Sequence, residues 1–163
     1  MIAKAEQLVA RGAAKTGAGA EQEYVTFRVG AQWLGMPVLA VQEVFTGHSI
    51  ARVPLAPKEV QGFLNVRGQI VTAVDLRTRL NLPQRAAGEP FMNVVVRDQG
   101  ELFSLLVDEV GDVQAVTAGQ LEPPSSTLDG HWREVCESVV RRDKGLLVVV
   151  NVRELLNVVA AAA

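Results

Sequence analysis

Apolar and polar positions alternate over residues 23–29 (EYVTFRV), with Tyr24, Thr26 and Arg28 on one side and Val25, Phe27 and Val29 on the other. A period of two is the mark of a strand with one face in a core. Past Gly30 the pattern thickens into nearly continuous apolar runs at 31–44, 69–76, 91–97, 102–110 and 146–152. Their β-branched content and the Gly, Pro or Asp at their borders predict strands. Short helices are predicted at 57–62, where Pro57 suits a first helical turn, and at 76–81 and 152–158. Residues 1–20, rich in Ala and Gly with little apolar surface, read as a flexible tail. The chain reads as mainly β with short connecting helices.

The pattern also repeats. VDLRTRLNL (74–82) aligns with VNVRELLNV (150–158), each after an apolar strand, and VQEV (41–44) has a counterpart in VDEV (107–110). The second copy needs roughly ten more residues of connection, which the Pro- and Ser-rich stretch LEPPSSTLDGHW (121–132) can supply. The expectation is one domain over 22–158, made of two small β units, about 22–85 and 90–158. Each is too small to be comfortable alone.

Composition narrows the function. Hydrophobic residues make up 48% and charged residues 21%, enough for a packed core. Sixteen Lys and Arg against 18 Asp and Glu give a net charge of −2, so there is no basic footprint for nucleic acid. A single cysteine, Cys136, permits no intrachain disulfide and points to a reduced, cytoplasmic setting. The longest apolar run, 146–150, falls far short of the ~20 residues that span a bilayer, so no direct membrane insertion is expected.

Catalytic chemistry finds little support. His48 and His131 have no ligand set around them beyond Cys136, so no metal site is expected. There is no nucleophile elbow and no phosphate cradle. Asp108 and Glu109 are neighbours on a strand and point to opposite faces, so they cannot share a proton. An enzyme reading would rest on Asp75 or Asp108, and would need a polar pocket and a displaced pKa. What stands out instead is charge inside apolar patterns: Glu43 near Val41 and Val44, and Arg67 between Val66 and Gly68. Buried charge is costly unless paired, and Arg67 has the planar fork for a carboxylate. Each facing water alone is the other reading.

Together, VQEV (41–44), PLAPKEVQGFLNVRGQIVTAVDLR (54–77), LLVDEVGDV (105–113) and LLVVVNVRELL (146–156) resemble the CheW family of bacterial chemotaxis coupling proteins. The resemblance implies two pseudo-symmetric SH3-like β-barrel subdomains, no catalytic activity and no cofactor. It implies two partners: a chemoreceptor cytoplasmic tip and the regulatory domain of the histidine kinase CheA. An adaptor of a twitching or developmental receptor pathway would share this fold. Val25, Val38, Val41 and Val44 match positions that line the family's receptor-binding groove. Glu43 and Arg67 match a charged pair tied to coupling, and Asn65 and Gly68 match the turn that carries the arginine. On this reading an acidic residue at Val38 or Val41 abolishes receptor association with the fold intact. Thr72–Ala73, where the family usually has a proline, and VCESVV (135–140), where Gly-rich sequence is common, depart from the pattern.

Overall fold

The computed structural model describes residues 21–161 except positions 48, 125, 127 and 144. The expected tail at 1–20 and His48 lie outside the described residues. Among the described residues, eleven strands form two sheets. The six-stranded sheet contains β1 (Glu21–Val29), β2 (Gln32–Pro37), β8 (Glu109–Thr117), β9 (Leu121–Glu122), β10 (Cys136–Arg142) and β11 (Gly145–Val150), in the order β8-β1-β2-β11-β10-β9. The five-stranded sheet contains β3 (Val41–Thr46), β4 (Val60–Val66), β5 (Gln69–Asp75), β6 (Met92–Asp98) and β7 (Glu101–Val107), in the order β3-β6-β7-β5-β4. Helices α1 (Leu76–Arg79), α2 (Gly130–Val135) and α3 (Val152–Ala161) are short connections or ends.

The two sheets share one plan. In each, an antiparallel hairpin (β6–β7 or β1–β2) sits between an antiparallel edge strand (β3 or β8) and a parallel neighbour (β5 or β11) that pairs onward with β4 or β10. The sequence echo is therefore structural. Asp75 caps α1 by accepting a hydrogen bond from the Arg77 amide, and Asn151 accepts one from the Glu154 amide at the start of α3. The added residues of the second copy build β9 and α2.

The boundary between units is not near residues 85–90. β6 and β7 complete the five-stranded sheet, and β1 and β2 join β8 and β11. The chain thus starts in one sheet, builds the other, and returns. It crosses at the 3₁₀ turn Val38–Ala40 and at Asp108. Each crossing splits a run that reads as one strand in sequence, because an apolar run records burial and not which sheet buries it. The helix expected at 57–62 is also absent. The Val60 amide bonds the Pro57 carbonyl in a turn, and β4 follows. Gly62 at φ +150° passes so close to Ala51 that an added Cβ would lie 2.2 Å from its carbonyl oxygen. Only glycine fits there.

Both faces of the central strands are buried, which explains their unbroken apolar sequence. On β5, Val74 joins the largest core cluster, while Val71 and Ala73 pack on the other face with Leu64 and Leu106. On β11, Val148 and Val150 join that large cluster, and Leu147 and Val149 pack with Tyr24 and Val116. The large cluster draws on both sheets and fills the space between them.

Candidate functional site

The N-x-R-G stretch closes the β4–β5 hairpin. Val66 pairs with Gln69, leaving Arg67 (φ 53°) and Gly68 (φ 84°) as the two-residue loop. Two successive positive φ values give the turn twist that suits a hairpin. The Gly68 amide donates to Asn65 Oδ1 at 2.9 Å and fixes the turn. From it Arg67 reaches Glu43 on β3, Nη2 to Oε1 at 2.8 Å. β3 and β4 are opposite edges of the five-stranded sheet. The ion pair therefore ties the β4–β5 turn to the opposite edge strand of the five-stranded sheet. Arg67 is 81% exposed and Glu43 is 24% exposed, so the pair adds little to stability.

The four valines do not line an open groove. Val25, Val38, Val41 and Val44 are all buried, none more than 5% exposed, and all belong to the core between the sheets. Val38 and Val41 flank the first crossing, where the chain passes through the seam and packing must close around it. Their apolar character serves the core.

Access opens at the second crossing. A cleft of about 590 Å³ is lined by Thr46 at the end of β3 and Gly47 after it, by Gly88–Met92 before and into β6, and by Asp108, Glu109 and Val110 where the chain changes sheets. Phe91, Met92 and Val110 give it an apolar floor. Asp108, with its side chain 5% exposed, anchors the crossing. It accepts hydrogen bonds from the Gly30 amide at 2.7 Å, from Arg77 Nε and Nη2 at 2.9 Å, and from Arg85 Nη2 at 2.7 Å. Arg85 also reaches Asp75 Oδ2 at 3.4 Å and lies 5.7 Å over the Phe91 ring. It thereby pins the segment that walls the cleft.

This network argues against acid–base chemistry. Burial alone would raise the Asp108 pKa, but the hydrogen bonds from Arg77, Arg85 and the Gly30 amide hold it below the usual carboxylate range. Hydrogen bonding to Asp108 raises Arg77 in turn. A carboxylate locked in its charged form is a poor proton shuttle. Burial, aided by the charge of Glu137, pushes the Cys136 thiol up and away from reactive thiolate. No group of three or more candidate metal ligands occurs among the described residues. Sequence pattern missed the Asp108 anchor because its partners, Gly30, Arg77 and Arg85, are far apart in the chain.

Other apolar residues stand in the open. Phe63 and Ile70 on the β4–β5 hairpin are 39% and 65% exposed, and Leu39 and Leu55 are exposed as well.

The family model described as "CheW-like domain" matches residues 23–160. The chain is similar to "Chemotaxis protein CheW" of Treponema pallidum, 24% identical over 139 residues, covering 83% of this chain and 82% of that one. It is similar to the protein of the same name from Klebsiella aerogenes, 26% identical over 136 residues, with 83% and 82% covered. Among solved structures it resembles the scaffolding protein TtCheW from Thermoanaerobacter tengcongensis, with a TM-score of 0.73 and 25% identity, covering 83% of this chain and 92% of that one.

Proposed function

The chain belongs to the CheW family, whose members are non-catalytic chemotaxis adaptors, and we propose that it joins a chemoreceptor cytoplasmic tip to the regulatory domain of the kinase CheA. The receptor tip docks in the cleft beside Asp108 and lies along β3 toward the Glu43–Arg67 pair. The observation that carries this reading is the open apolar cleft at the crossing between the sheets, with the valines of the seam closed behind it. A concave, mostly apolar site with few polar groups is what a partner side chain needs in order to anchor.

An adaptor must hold two partners at once, so the kinase takes a separate surface. The exposed Phe63 and Ile70, with Arg52 next to the Ala51–Phe63 bridge, offer it an apolar face with a cation at the edge. Single contacts of this kind are weak, and repetition across an array multiplies them. No helix among the described residues is long and apolar enough to cross a membrane. On this reading the protein works in the cytoplasm against receptors that are themselves anchored.

Thr46 is exposed at the mouth of the cleft, so Thr46→Trp fills it without touching the core. The variant should lose co-sedimentation with receptor-containing membranes while keeping its melting temperature and its binding to the kinase domain. Undiminished co-sedimentation would move the receptor site elsewhere.

A further inference from the structure

We propose that the cleft selects a receptor segment that is apolar but carries a lysine or arginine, and that Glu89 and Glu109 are the residues that read that cation. The inference rests on the cleft being the receptor site. Among the described residues, every charged one that lines the cleft is acidic: Glu89, Asp108 and Glu109. Asp108 is taken up by Arg77 and Arg85. The two glutamates each commit one oxygen. Glu89 Oε2 meets Arg77 Nη1 at 3.4 Å and the Ala86 amide at 3.0 Å. Glu109 Oε2 meets Arg28 Nε at 3.1 Å. The Oε1 atoms make no hydrogen bond among the described residues.

Position sets the sign that a partner meets. Arg77 and Arg85 sit behind, 15% and 8% exposed, and Arg28 is intermediate at 34%, while Glu89 and Glu109 stand furthest forward at 40% and 48%. Four carboxylates (Asp75, Glu89, Asp108, Glu109) against three guanidinium groups (Arg28, Arg77, Arg85) leave the cluster at −1. Glu89 comes from the segment before β6 and Glu109 from the first residue of β8. A cation between them links the two sheets across the mouth, while the apolar part of the segment covers Phe91 and Met92. A carboxylate at the same place meets two of its own sign. Complementary charge of this kind sets register and excludes wrong partners more than it adds affinity.

The test uses the full chain and receptor-containing membranes, with Glu89→Gln, Glu109→Gln, the double variant and Thr46→Trp compared by co-sedimentation across a salt series. Each single variant should bind about two- to fivefold more weakly, as expected for exposed ion pairs. The double variant should be weaker still and lose most of the salt dependence seen in the parent. Melting curves check that all variants fold. If Thr46→Trp blocks binding while the double variant binds as tightly as the parent, or more tightly, the cleft reading stands and the cation proposal is overturned. If Thr46→Trp binds normally, the cleft reading fails and this proposal falls with it.

Discussion

Asp108→Asn isolates the anchor of the second crossing. The side chain keeps its shape and one acceptor oxygen, but it loses the charge held by Arg77 and Arg85 and puts an amide donor against guanidinium donors. Breaking a buried ion pair from one side costs ~3–5 kcal/mol, because the remaining charge is left uncompensated. Here Arg85 retains Asp75 at 3.4 Å and Arg77 retains Glu89 at 3.4 Å, which places the loss near the lower limit. A loss of about 3 kcal/mol lowers the melting temperature of a domain this size by roughly 6–12 °C. The exposed Asp112→Asn is the control and should leave it unchanged. The effect has a defined pH window. The Asp108 pKa is depressed on folding, so its contribution is complete above the unfolded carboxyl value near 3.8 and fades as pH falls through the lower folded value. Parent and variant melting curves should therefore differ fully at neutral pH and converge in strong acid. An Asp108→Asn melting temperature within about 2 °C of the parent at pH 7 would refute the anchor.

Three further outcomes follow from the same structure. Arg67→Ala should cost no more than about 1 kcal/mol, since the ion pair is exposed, yet impair kinase coupling in a reconstituted phosphorylation assay. Val41→Asp, and Val38→Asp likewise, should collapse the melting transition and not spare the fold, because each buries a carboxylate without a partner at a cost of several kcal/mol. Gly62→Ala should destabilise strongly, with urea denaturation shifted to a lower midpoint, since the new methyl meets the Ala51 carbonyl and φ +150° is closed to alanine.

The runs at 69–76, 91–97 and 146–152 announced their strands because burial on both faces leaves no polar position to obscure them. Asn65, Arg67 and Gly68 announced a turn because positive φ and an Asn-to-backbone bond are local chemistry. The 57–62 helix failed because residues 57–59 form a turn into β4, and the close approach of Ala51 to Gly62 in that strand is invisible in a linear pattern. Val25, Val38, Val41 and Val44 looked alike whether they faced a partner or a core, and only the two crossings decide between these. The internal echo was real, but it did not reveal that the first hairpin belongs to the sheet completed last. The Asp108 network depends on residues separated by up to 78 positions and left no local trace.

The β1–β2 hairpin lies in the middle of the six-stranded sheet, between β8 and β11. It is made before β3–β7, yet both of its neighbours are made after that sheet. That order makes folding depend on late, distant pairings, which slows it, and leaves the early hairpin with two bare edges in the meantime. The molecule therefore cannot be cut into independent halves at any single bond. Excising β3–β7 would bare the face that packs into the shared core, and every truncation before β11 leaves the β1–β2 hairpin without its parallel neighbour.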